Sequence, residues 1–269
     1  LGITSPFAVA AVIGFFANIP LNYVLIFGFG DIPAMGAKGC GIATAISMWL
    51  SALIITVYVL NKDSLKPYMP PWTPVAPDLP AIKNILVLGF PVGATMFLET
   101  AVFTGIALLI SSLGDVAIGA HQIAFNVWDM FYIPMLAIGG AMATRMGHAI
   151  GAQDKAGVFR ALKAGMIYSG AVSAVTMIVL LSLPHVIVSV YTQSSDMSLL
   201  AVRLLSFAAR FVMIDAVQIV GSFSMRAYKK TTFPFIASMV AYWLIALPLG
   251  YYLGIMTANN TSDGAAGFW

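Results

Sequence analysis

Charge is scarce in this sequence. Of 269 residues, 13 are Lys or Arg and 10 are Asp or Glu, 9% in all, while 60% are hydrophobic. A soluble domain carries roughly 25% charged residues, so a water-soluble globule is excluded. Cysteine is rarer still: Cys40 stands alone, which excludes an internal disulfide and any all-cysteine metal site. The apolar/polar alternation over about ten positions that marks a transmembrane strand is missing too; the apolar runs are long and unbroken. There is no Walker loop, no dinucleotide fingerprint, no His-Glu-x-x-His and no Gly-x-Ser-x-Gly. No soluble catalytic signature is therefore present, and an ATP-driven pump would need a nucleotide domain that this sequence lacks. The net charge of +3 and pI near 9.0 do not make a nucleic-acid binder, because the basic residues sit singly and form no stripe.

What is there is a series of apolar segments, at about 6–28, 39–60, 85–111, 117–142, 158–182, 198–225 and 234–256. Runs near 20 residues are long enough to cross a bilayer as helices, so the fold class is all-α, a polytopic helical membrane protein. Lys and Arg alternate between the connections. Lys62, Lys66 and Lys83 fall in one, Arg145, Lys155, Arg160 and Lys163 in another, and Arg226, Lys229 and Lys230 in a third, while the opposite side has only Lys38. Positive charge collects on the cytoplasmic side, which puts 61–84, 145–163 and 226–233 there. Leu1 opens in mid-run with neither an initiator Met nor a signal-peptide pattern, so we expect a piece of a longer protein.

An internal repeat runs at a constant offset of 228 positions. Pro6-Phe7, Pro20-Leu21, Tyr23 and the Gly36-Ala37-Lys38-Gly39 stretch align with Pro234-Phe235, Pro248-Leu249, Tyr251 and Gly264-Ala265-Ala266-Gly267. Six spans separate the copies, so both enter the membrane from the same side, as in two six-helix halves related by an axis along the membrane normal. Residues 1–60 then hold the last two helices of an N-terminal lobe. Residues 61–84, with six prolines, form a cytoplasmic linker expected to be an extended tether, and 85–269 form a C-terminal lobe of five helices and the approach to a sixth.

Three acids lie inside spans. Glu99 is the sole formal charge between Lys83 and Asp115, roughly 24 Å along a helix from Lys83 at about 1.5 Å per residue. Asp129 and Asp215 are similarly deep. A carboxylate in hydrocarbon is costly unless paired or bathed in a polar cavity, so each is a candidate for binding a cation. Gln218 stands one turn beyond Asp215, and Trp128, Tyr132 and Asn126 surround Asp129 in sequence. Asn18 and Asn22, one turn apart around Pro20, suit either an ion site or interhelical packing. Met96, Phe97 and Phe103 are candidates for an adaptable, aromatic lining near Glu99. Arg210 reads as snorkelling or as charge balance. His121 reads as a helix-end hydrogen-bonding residue or a proton relay, and His148 and His185 as loop residues. Pro91, Pro134 and Pro248 are candidate bending points, and Pro91 with Gly93 would free backbone carbonyls as ligands.

Asn18-Ile19-Pro20-Leu21-Asn22-Tyr23, Gly36 through Thr44, Gly89-Phe90-Pro91-Val92-Gly93 through Glu99, Ala120-His121-Gln122-Ile123-Ala124-Phe125-Asn126 and Arg145 through Gly151 resemble the multidrug and toxic compound extrusion (MATE) transporters. The likeness is to the bacterial NorM-type branch and spans the whole sequence. It implies a non-enzymatic, monomeric twelve-helix antiporter of the bacterial inner membrane, with helices five to eleven present. Such a protein exports cationic amphipathic drugs and dyes in exchange for H⁺ or Na⁺ and needs no other cofactor. Glu99 and Asp215 fall on the family's cation-binding acids and would be the Na⁺ ligands if Na⁺ is the coupling ion. Phe211 replaces a tyrosine found in some relatives, and Asp129 is an acid where a small polar residue is expected. The competing readings are a flippase of lipid-linked oligosaccharide or peptidoglycan precursors, expected to bring more cations to the cavity, and a non-transporting membrane protein.

Overall fold

The computed structural model describes residues 5–30, 32–68, 76–257 and 260–269. Asp31 and residues 69–75 of the proline-rich stretch lie outside them. Seven helices among the described residues are long and apolar enough to cross a membrane, the number expected. The chain divides into two compact units between Ala76 and Pro77.

The first unit is a helix pair, α1 (Ser5–Phe27) and α2 (Ala37–Asn61). In lipid there is little hydrophobic drive between helices, and association rests on close van der Waals packing at small residues. Here the contact is made by Ala10, Gly14, Gly39, Ala43 and Ser47, the buried positions of the two helices. Ser51 adds a hydrogen bond to the Ala10 carbonyl at 3.2 Å. A short 3₁₀ turn, Asp63–Tyr68, follows.

The second unit holds α3 (Leu79–Ser111), α4 (Asp115–Gly151), α5 (Lys155–Ser182), the short α6 (Pro184–Ser189) and α7 (Ser195–Ala227). Its centre is α4 against α7, where alanines at 117, 120 and 124 and at 201, 208 and 209 are buried. Helix α5 lays Ala161, Gly165, Ser169, Ser173, Thr176 and Leu180 against that pair, a stripe of mostly small residues at the three- and four-residue spacing of one helical face.

Several boundaries depart from expectation. Residues 79–84 are helical where an extended tether was expected. Asp78 caps that start by accepting from the Ala81 amide at 3.2 Å, and Pro80 sits in the first turn, where a missing N–H is no loss. Helix α4 runs nine residues past 142, so Arg145 and His148 are helical, and His185 lies in α6. A charged residue ends the apolar run, but it does not end a helix that can continue into water.

The seventh span, Thr232–Met256, is irregular. Helix α8 (Thr232–Ser238) passes into a π-helical stretch, Met239–Ala246. A short α9 (Leu247–Tyr251) carries Pro248, and Tyr252–Met256 is again π-helical. Proline removes a donor from the ladder, and π turns accommodate such a break. Helix α10 (Thr261–Gly267) follows, with Asn260 as its cap.

The repeat has a physical counterpart. A Cβ on Gly39 would strike the backbone of Leu25 and Ile26, and a Cβ on Gly267 would strike that of Leu253 and Gly254. These are the same positions 228 apart. In each unit a span turns back into the next helix, and the two backbones meet where no side chain fits.

Candidate functional site

Five parts of the second unit surround a cavity of about 560 Å³. Each long helix contributes one face. From α3 come Glu99, Phe103 and Ala107; from α4, His121, Gln122, Phe125, Trp128, Asp129 and Tyr132; from α7, Phe211, Asp215 and Gln218. These positions recur at three, four or seven residues, the spacing that stacks side chains on one side of an α-helix. Tyr242 enters from the π-helical part of the seventh span, and Phe268 and Trp269 follow from α10.

The wall is aromatic. Trp128 and Tyr132 stack with centroids 4.6 Å apart. Phe103 packs on Phe125 at 5.4 Å, on Trp128 at 5.6 Å and on Tyr242 at 6.5 Å. Into this wall the carboxylates are set. Asp215 is half-buried and accepts a hydrogen bond from the Trp128 indole at 3.3 Å. Glu99, also half-buried, lies next to the buried Ser238 hydroxyl and within the field of Arg226, whose guanidinium rests over Phe223 at 4.6 Å. Tyr132 and Tyr242 lie within electrostatic reach of both carboxylates. Asp129 is exposed to the same space and has no ion pair among the described residues. None of the lining residues is Lys or Arg.

His121 is buried, and its Nδ1 accepts a hydrogen bond from the Trp269 indole at 2.9 Å. A ring nitrogen that accepts carries no proton, so the ring proton sits on Nε2.

Glu99, Asp129, Asp215 and Gln218 thus share one cavity. Asn18 and Asn22 belong to the first unit. There, Asn22 donates to Asn18 Oδ1 at 2.7 Å and Asn18 donates to Ser47 at 3.2 Å, tying α1 to α2, while Asn22 Oδ1 is buried without a partner among the described residues. Met96 and Phe97 are exposed and do not line the cavity, and Asn126 is likewise absent from its wall. Thr95 donates to the Pro91 carbonyl at 2.7 Å, while the carbonyl that a proline frees is the one four residues earlier, at Val87, which is not among the residues lining the cavity. Arg210 lies over Phe207 at 5.6 Å and outside the cavity. The sequence reading missed Gln122, Phe125, Tyr242 and Trp269. Helical spacing back from Asp129, four and seven residues, would have found Phe125 and Gln122; the others come from elements distant in the chain.

The chain is therefore a multi-pass helical membrane protein whose polar chemistry is gathered in an acidic, aromatic-walled cavity within its spans. Comparison with known proteins makes this more specific. The model of the MatE family matches residues 91–252, and the chain belongs to that family, whose members are transporters and not enzymes.

Multidrug resistance protein NorM of Photobacterium profundum is 38% identical over all of this chain and 59% of its own length. NorM of Vibrio cholerae is 35% identical over the same shares. Multidrug resistance protein MdtK of Edwardsiella ictaluri is 33% identical over 99% of this chain and 58% of its own. The chain thus spans about three-fifths of the length of these curated relatives. The crystal structure of the eukaryotic MATE transporter AtDTX14 superposes with a TM-score of 0.86 at 19% identity, over 98% of this chain and 58% of that one. An outward-facing multidrug resistance MATE family transporter gives 0.78 at 17% identity, over 97% and 57%. The fold is that of the twelve-helix MATE transporters.

Proposed function

We propose that this chain supplies the substrate cavity of a multidrug efflux antiporter that exports cationic, amphipathic compounds from the bacterial cytoplasm in exchange for H⁺ or Na⁺. The observation that carries this reading is the convergence of three carboxylates, Glu99, Asp129 and Asp215, on one aromatic-walled cavity inside membrane-spanning helices. A flat organic cation fits both parts. Its charge faces the carboxylates, and its ring system lies on Trp128, Tyr132, Phe103 and Phe125, where cation–π contact adds to apolar burial. A cavity near 560 Å³ is of drug-like size.

Exchange follows from competition. A proton, or a Na⁺ held by Glu99 and Asp215, neutralises the carboxylates, the organic cation loses its counter-charge, and it leaves. Reopening to the cytoplasm lets a new cation displace the coupling ion. Gln218 and Gln122 offer neutral polar contacts to either occupant. Asn18 and Asn22 of the first unit act as a polar support with one acceptor to spare. The segment around 61–84 serves as the cytoplasmic linker between lobes, and the transporter works as a monomer in the inner membrane. A flippase for pyrophosphate-linked sugars would need cations in its cavity, and this wall carries no Lys or Arg.

The test is dye efflux from proteoliposomes containing the full-length protein, with H⁺ and Na⁺ gradients imposed separately. Ethidium should leave against its own gradient under one of them. No efflux under either, or full efflux by Glu99→Gln, would overturn the reading.

A further inference from the structure

A second cavity lies at the other end of α4, and the transport reading makes no use of it. It is a groove of about 870 Å³ between the C-terminal third of α4 and the first half of α5. We propose that it binds an anionic phospholipid of the cytoplasmic leaflet, with the phosphate on Arg145 and Arg160 and an acyl chain in the apolar floor. The inference rests on the membrane embedding of these helices and goes beyond the transport reading.

The groove is amphiphilic along its length. At its rim stand Arg145 and His148 of α4 and Arg160 of α5, opposed by one acid, Asp154. That acid is already engaged, since it caps α5 by accepting from the Gly157 amide at 2.8 Å and meets Arg160 at 3.4 Å between side chains that are largely exposed. Arg145 has no ion pair or side-chain hydrogen bond among the described residues, so the rim carries uncompensated positive charge. The alternation of Lys and Arg between connections puts this rim at the cytoplasmic face, where anionic lipids attract basic residues and basic pockets between helices hold their headgroups.

One to two turns deeper, roughly 5–10 Å along the helices, the lining changes to Met142 and Ile138 of α4 and to Ala164 and Gly165 of α5, with Tyr168 at the far end. Ala161, Ala164 and Gly165 of α5 line this floor, and Met142 packs against Gly165 where a Cβ would not fit. A free phosphate would use the rim and leave most of the groove without a role. A neutral lipid would use the floor and leave the arginines unanswered. A diacyl lipid with an anionic head fits both.

Native mass spectrometry of the purified full-length protein tests this. Phosphatidylglycerol should bind about 25-fold more tightly than phosphatidylcholine with the same acyl chains, about fivefold for each of the two arginines. Arg145→Gln with Arg160→Gln should bring the two lipids level, while Arg145→Lys with Arg160→Lys should keep most of the preference. Ala164→Phe, which fills the floor and keeps the charge, should weaken both lipids. Equal binding of the two lipids by the unmodified protein would overturn the proposal without any variant. So would an undiminished preference in the Gln pair, provided it unfolds cooperatively. Displacement of phosphatidylglycerol by millimolar inorganic phosphate would assign the rim to a free anion and overturn the lipid.

Discussion

Two of the three acids that face the cavity, Asp215 and Glu99, stand on unequal supports. Asp215 belongs to α7, which with α4 forms the best-packed pair in its unit, and each of those helices buries ten residues. Its carboxylate is held by an indole from the other member of the pair. Glu99 belongs to α3, where four of 33 residues are buried within the unit, and it faces a seventh span broken by Pro248 and π turns. One wall of the cavity is therefore closely packed within its unit, and the other is loosely packed there. A transporter needs both: a firmly held acid keeps the site from dissolving between states, and a loosely held one lets the site open. Stability is unevenly distributed in proteins, and the elements that move are drawn from its weaker parts.

The sharpest way to break this contrast is to remove the charge on the closely packed wall. Asp215→Asn should weaken binding of an organic cation by on the order of 30-fold or more, the scale of losing one partner of a desolvated charge pair, and isothermal titration in detergent measures it. Next in size is an attack on that wall itself. A Cβ on Gly139 would meet Phe223 and Ile219 of α7, so Gly139→Leu should lower stability by about 1–3 kcal/mol through overpacking, visible in thermal unfolding. On the other wall, a Cβ at Gly93 of α3 meets nothing. There, Gly93→Ala should raise stability by roughly 0.5–1 kcal/mol through helix propensity. Opposite signs are the expectation; equal losses at both sites would erase the distinction between the walls. Comparable in size with Gly139→Leu is Trp128→Phe, which keeps the aromatic surface and removes the hydrogen bond to Asp215. A loss of about 1.5–3 kcal/mol, the range for a bond to a charged group, would show that the indole holds the acid in place.

Much of this was legible in the sequence. Span number follows from apolar run length, and the acids stood out because a lone carboxylate in hydrocarbon has few harmless explanations. The cavity wall was less legible. Phe103 was foreseen alongside Met96 and Phe97, but those two face away, since the sequence contains 17 Phe and 15 Met and apolar composition does not say which side of a helix turns inward. The Trp128–Asp215 bond joins residues 87 apart, so no local pattern announces it, and Trp128 was instead read with its neighbour Asp129. Asn18 and Asn22 were read as a pair and are bonded to each other, but it is Asn18 alone that reaches Ser47 of the adjoining helix. Pro248 was read as a bending point of the seventh span, but the π-helical stretches on either side of it escaped notice, because an apolar run carries the same signal whether its hydrogen bonds span four residues or five.

Direct binding of ethidium to the purified full-length protein, by fluorescence titration in detergent, bears most closely on the claim that the carboxylate of the loosely packed wall holds the cation. Glu99→Gln should weaken the apparent Kd by about tenfold or more while the unfolding transition stays where it was. An unchanged Kd in that variant would mean that ethidium does not rest on Glu99, and the cation-exchange account built on this cavity would be contradicted.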